Sequence, residues 1–221
     1  MPPHRFELAG GHPVLDFLNT IQDWTREEPV DYLGDFADAV RFGQAAGVLT
    51  RGEAGALRPD GTHAEVARLR ALRALLERIF RRLVLGKAPA TADLDRLSVA
   101  LARAARLTRL RGATGSPVRP HLDLALAKAE VLRFRLAQAA GTLLTSPEMR
   151  RVKACPSCGW FFLDASKNGS RRWCSMDTCG ASAKARRYYR RKRGSRPVSK
   201  PGSPERLPRI HSSSTTSRRE Q

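Results

Sequence analysis

Residues 155–193 read CPSCGWFFLDASKNGSRRWCSMDTCGASAKARRYYRRKR and hold every cysteine of the 221-residue chain. The spacing is C-x2-C-x15-C-x4-C, two close pairs separated by fifteen residues. Each pair can approach a metal from one side, which sets four sulfurs at the corners of a tetrahedron. Cys155, Cys158, Cys174 and Cys179 are therefore expected to bind one Zn2+. The alternative, two disulfides or four unrelated thiols, is disfavoured because short C-x2-C pairs in a chain without an export signal seldom serve another purpose. Four thiolates leave no position for the water that a catalytic zinc needs, so the expected ion is structural. About forty residues are too few for a self-sufficient core, so metal binding should supply much of the module's folding free energy and chelation should unfold it. Trp160 to Leu163 spell a strand, Arg171-Arg172-Trp173 its return, and Asp164 to Gly169 the turn between them.

A centre of four thiolates and one Zn2+ carries a formal charge of −2 and attracts cations. Arg171 and Arg172 have two competing roles, neutralising the thiolates or contacting phosphate. Trp160 and Trp173 read as core residues of the small module. The run ASAKARRYYRRKR suits a helix: at 100° per residue Lys184, Arg186, Arg187, Arg190, Arg191 and Arg193 fill one half, and Ala181, Ala185, Tyr188 and Tyr189 the other. One face is expected to pack while the other meets an anion. Six crowded cations repel one another, and phosphates would relieve that repulsion while releasing counterions.

The charge distribution of the whole chain points the same way. The formal charge is +19, and residues 150–221 carry 19 Lys and Arg against 4 Asp and Glu, leaving 21 against 17 for residues 1–149. The excess implies a large anionic partner. Hydrophobic residues make up 41% of the chain, enough for an ordinary core. The opening MPPHRFELAGGHP lacks the apolar segment of a signal peptide, and Leu136 to Pro147, the longest stretch free of charged residues, is too short to span a bilayer. A cytoplasmic, nucleoid-associated protein without a membrane partner is expected.

Upstream of the cysteines the pattern is helical. In VLDFLNTIQDW the apolar residues Val14, Leu15, Phe17, Leu18, Ile21 and Trp24 return to one face and predict a buried first helix. Leu33, Phe36, Val40 and Phe42 predict a second, ending near Gly47. Val66, Leu69, Leu72, Leu76, Ile79 and Leu83 step by threes and fours through a third, from Ala64 to Leu85, with Glu77 and Arg81 as an i,i+4 pair. Thr91 is a candidate N-cap for a fourth, to about Ala105. Gly112, Gly115, Pro117 and Pro120 predict a loop or short hairpin over 107–124, and Ala125 to Leu144 a last helix. The expected organisation is a mainly α domain over 1–149, a small α+β four-cysteine zinc finger of treble-clef or zinc-ribbon type over 150–193 with a basic C-terminal helix, and a disordered basic tail over 194–221.

The paired cysteines, FLDASKN, RRWCSM and the basic helix occur here in the order in which they occur in the CGNR zinc finger of bacterial proteins, which this segment resembles. GGHPVLDFLNT is similar to the opening signature of the ABATE domain that usually precedes that finger. The resemblance implies a stress-responsive transcription regulator with zinc on Cys155, Cys158, Cys174 and Cys179. One departure stands out: the chain reads Cys179-Gly180-Ala181-Ser182 where the family has Cys-Gly-Asn-Arg. Asp16, Asn19 and Thr20 match polar positions of the family on an apolar helix and share a face. They either line a pocket for a small-molecule effector or pack a neighbouring loop.

The reading these features favour is a DNA-binding regulator whose helical domain senses a signal or forms a homodimer. An RNA-binding or protein-docking module is the alternative. An enzyme is least expected: no cysteine is spare, the histidines are scattered, and neither a phosphate-binding glycine loop nor H-E-x-x-H occurs.

Overall fold

The computed structural model describes residues 6–57 and 63–194. Helix α1 spans Pro13–Leu18, and its start is specified locally. Proline at the first turn has no N–H to satisfy, and the side chain of His12 accepts the Val14 N–H. The helix stops well short of the expected Trp24. Thr20 donates its hydroxyl to Phe17 O at 2.7 Å and the Trp24 indole donates to Leu18 O at 3.1 Å, which satisfies the carbonyls a continuing helix would have used. Ile21 then pairs with Asp31 as an isolated antiparallel bridge and Trp24 sits in a turn, so the apolar spacing beyond Leu18 is not helical.

Helices α2 (Phe36–Ala45) and α3 (Arg51–Ala56) each open with a reciprocal capping box, Asp35 with Asp38 and Thr50 with Glu53. Helix α4 (His63–Val84) buries Val66, Leu69, Leu72, Leu76 and Ile79, and Glu77 meets Arg81 at 2.8 Å as its spacing requires. Helix α5 (Thr91–Arg106) begins at Thr91 itself, without a side-chain cap, and Asp93 in its first turn is held by Arg78 at 2.7 Å. Strands β1 (Thr108–Arg111) and β2 (Arg119–Leu122) form the antiparallel hairpin that the glycines and prolines suggested. The expected last helix is broken: α6 (Leu124–Ala127) and α7 (Val131–Thr145) are separated by a tight turn in which Lys128 has φ 46°. The Glu65 carboxylate, buried under α7, receives Arg133 at 2.7 Å, and burial pushes its pKa up despite that partner.

The cysteine region contributes strands β3 (Val152–Ala154) and β4 (Phe161–Leu163), paired antiparallel with Ala154 opposite Phe161, and helix α8 (Ala181–Gly194). The partner of β4 therefore lies before the first cysteine pair, and Arg171-Arg172-Trp173 is not a strand. Asp164, fully buried, explains why. Its carboxylate accepts the Ser166 N–H and hydroxyl, the Arg171 N–H and the Lys153 ammonium, so the returning chain is fixed by one side chain.

The chain divides into two compact units, Met1–Ala183 and Lys184–Gln221. In the first, one core runs from α1, α4 and α7 to Val152 and Phe161 of the β3–β4 hairpin. The cysteine hairpin thus shares the core of the helical domain. In the second, the described part is the body of α8. The tail expected to be disordered lies outside the described residues.

Candidate metal centre and nucleic-acid interface

The four cysteines converge. Their sulfurs all lie within 4.8 Å of one another, with 3.6 Å from Cys158 to Cys174, 3.7 Å from Cys174 to Cys179 and 3.6 Å from Cys179 to Cys158. Zn–S bonds of about 2.3 Å in a tetrahedron require S···S near about 3.8 Å, so the set fits one Zn2+ with little movement. No disulfide joins them. Backbone N–H groups of Ser157 and Cys174 reach Cys155, and that of Trp160 reaches Cys158, as thiolates require. Without a metal Cys155, Cys158 and Cys174 could not all ionise. Hydrogen bonds from Cys158 and Cys174 hold the Cys155 thiol far below its usual range, while those same contacts push Cys158 up to about 12 and Cys174 higher still. A divalent cation removes that conflict.

Cys155 and Cys158 flank a tight knuckle between β3 and β4. Gly159 turns it with φ +74°, and a Cβ there would sit 2.9 Å from the Cβ of Trp24, so only glycine fits. The helical domain holds this knuckle directly. Asn19 donates to Phe161 O at 2.8 Å and accepts the Phe161 N–H at 2.9 Å, acting as a short strand edge. The Trp160 indole donates to Ile21 O at 2.6 Å, the Trp24 N–H to Cys158 O at 3.0 Å, and Arg81 to Gly159 O at 3.0 Å with its guanidinium over the Phe161 ring. Cys174 and Cys179 lie beyond, the latter in a single wide turn, Met176–Gly180, that runs into α8. A knuckle pair followed by a pair at a helix start is the treble-clef order of ligands, one of the two arrangements expected.

The polar triad at the end of α1 is buried and hydrogen-bonded. Asp16 is buried and accepts the Gly10 N–H at 2.7 Å, Asn19 is spent on Phe161, and Thr20 accepts Arg73 at 2.7 Å while Arg73 pairs with Asp31. Packing of neighbouring segments is what these residues do. A cleft of about 670 Å3 opens elsewhere, between α5, the β1–β2 hairpin and α7.

Arg171 and Arg172, adjacent in sequence, part company. Arg171 stacks on Phe162 and donates to the carbonyls of Ala9, Trp173 and Cys174, tying the entry to α1 to the second cysteine pair. Its guanidinium is thus committed to carbonyl oxygens, a third role beside the two expected. Arg172 is exposed over the Trp173 ring. Trp160 is buried against the cysteines, as expected. On α8, Lys184, Arg186, Arg187, Arg190 and Arg191 are exposed, and so are Tyr188 and Tyr189, at 54% and 64%. Arg193 lies in the same helix. Ala181 and Ser182, the departure from the family tetrad, stand exposed in its first turn.

Sequence reasoning missed Asp164, Lys153 and Arg81. The signal for the first was present in Asp164-Ala165-Ser166, a side chain poised to accept its own backbone two residues on. Lys153 holds the Asp164 carboxyl far below the usual carboxylate range.

The family model ABATE, described as "Putative stress-induced transcription regulator", matches residues 11–147. The chain belongs to the ABATE family. A second model, the CGNR zinc finger, matches residues 151–192, so the ABATE domain is followed by a finger with one structural Zn2+ on the four cysteines. No curated protein matches the chain. Among the described residues of this ABATE protein no helix is long and apolar enough to cross a membrane.

Proposed function

We propose that the chain is a DNA-binding transcription regulator in which α8 and Arg172 meet the phosphate backbone and zinc builds the scaffold of the finger. The observation that carries this reading is the composition of α8: from Lys184 to Arg193 seven of ten residues are Lys or Arg and none is Asp or Glu. A solvated helix face ordinarily mixes signs, since like charges at i,i+4 destabilise it, and a polyanion reverses that cost. With its coordination shell filled by thiolates the zinc offers no open site for chemistry, which supports a reading in which the protein acts by binding. The reading carries with it a cytoplasmic, nucleoid-associated location; a homodimer or an effector would act through the helical domain.

Titration of duplex DNA between 50 and 200 mM salt tests it. Six phosphate contacts predict a loss of affinity of about a thousandfold over that range. Salt-insensitive binding, or none at low salt, rejects it. A second reading is favoured by Tyr188 and Tyr189, whose exposed rings sit 5.6 Å apart among arginines, the kind of surface on which unpaired bases stack. Preferential retention on single-stranded RNA in competition with the duplex would select it.

A further inference from the structure

The β1–β2 hairpin carries an unassigned cationic face. In its register Arg109 stands opposite His121 and Arg111 opposite Arg119, while Leu110 stands opposite Pro120. Side chains alternate along a strand, so Arg109, Arg111, Arg119 and His121 share one face. On the other face Thr108, Pro120 and Leu122 line the cleft against α5 and α7, which half-buried His121 also borders, and this anchors the ribbon. Arg109, Arg111 and Arg119 are exposed, and from Arg96 to Leu122 the chain has six arginines and no Asp or Glu. Like charges placed directly opposite across two strands destabilise a hairpin. Here the Arg111–Arg119 pair is set on an exposed ribbon with no carboxylate within that span to offset it.

We propose that the outer face of this hairpin is a second nucleic-acid contact, with Arg111 and Arg119 gripping phosphates of a duplex and the ribbon lying along a groove. A two-stranded antiparallel ribbon is of the size that a major groove of about 12 Å admits. Arg109, whose guanidinium donates to the carbonyls of Arg106 and Thr108, is held at the base of the ribbon and flanks the pair. The contact belongs to the first compact unit and does not depend on α8. It rests on the duplex-binding reading above.

The test uses the full chain loaded with zinc and a 30-base-pair duplex of arbitrary sequence. Replacing both Arg111→Ser and Arg119→Ser is expected to weaken binding about 10- to 100-fold at 50 mM salt and to flatten the logarithmic salt slope by about 2, the share of two phosphates. The double Lys variant should keep most of the affinity. Because the serines remove a repulsive cross-strand pair, the variant should melt no lower than wild type, which separates a lost contact from a lost fold. If the Ser variant binds with an unchanged slope while Arg187→Ser with Arg190→Ser loses affinity, the hairpin contact is wrong and the duplex reading stands. If wild type does not bind the duplex at all, both fall. Vesicles of phosphatidylserine and phosphatidylcholine make the last arm: hairpin-dependent binding there, with none on DNA, would assign this face to a membrane surface and overturn the proposal.

Discussion

Cys155 and Cys158 sit in a knuckle that the helical domain grips through Asn19, Ile21, Trp24 and Arg81, and that shares its core through Phe161. Around Cys179 the arrangement is different. The turn from Met176 to Gly180 is shaped by local bonds, the Ser175 hydroxyl accepting the Thr178 N–H and the Ser175 carbonyl the Gly180 N–H, and Met176 is 67% exposed. The first pair is thus positioned by packing against the helical domain, while the turn that carries Cys179 rests on local bonds. The binding energy of zinc should accordingly go into ordering the second half rather than the whole module.

Zinc removal is the largest test of that difference. Chelation of the full chain should abolish hydrogen-exchange protection from about residue 172 to 183 while α4, α7 and the β3–β4 hairpin keep most of theirs. Uniform loss through the hairpin and α1 would show that both halves depend on metal alike. Next in size is Asn19→Ala, which strands the Phe161 N–H and carbonyl in a buried site and should cost about 2–4 kcal/mol in chemical denaturation. It should also speed zinc release to a competing chelator. Unchanged release would mean that the knuckle is held by Trp160 and Arg81 without help from α1.

What could be read from the sequence follows the same division. The zinc ligands were legible because tetrahedral thiolate chemistry is written in spacing, and α4 because its stripe repeats over six turns. The end of α1 was not, since Ile21 and Trp24 fall on helical spacing by coincidence and only the hydrogen bonds of Thr20 and the Ile21–Asp31 bridge reveal that the helix has ended. Nor was the partner of β4, because Val152–Ala154 precedes the cysteines that drew attention to the module. The hardest case was the Arg171-Arg172 pair. Composition counts both as cations, and only tertiary contact tells the one that braces carbonyls from the one that faces solvent.

Lysine substitutions separate the two arginines. Arg171→Lys keeps the charge but loses the fork that spans Ala9, Trp173 and Cys174, and should destabilise the first unit by about 1–3 kcal/mol. Arg172→Lys should change stability by less than about 0.5 kcal/mol. Equal effects in thermal melts would erase the distinction between a bracing and a solvent-facing arginine.

The smallest effect concerns Asp16, which closes the loop before α1 and so supports the knuckle side of the comparison. Burial raises its pKa to about 6 from an ordinary value of 3.8, outweighing the Gly10 N–H that favours the anion. The folded pKa exceeds the unfolded one, so the unfolded state loses this proton first. Stability contributed by the protonated carboxyl is therefore complete below about 3.8 and declines as pH rises toward 6. Glu53 runs the other way: its hydrogen bonds with Arg135 lower it to about 2, so its contribution is present above 4.5 and fades as pH falls toward 2. Asp16→Asn, which retains an acceptor for Gly10, should melt higher than wild type at pH 7.5, by an amount on the order of 1–2 kcal/mol. The gain should vanish below pH 4, where the native carboxyl is also neutral. An NMR titration of the Asp16 carboxyl with a midpoint near 4 would show that the loop before α1 is open to water, and that the knuckle leans on Asn19 alone at this end of the helix.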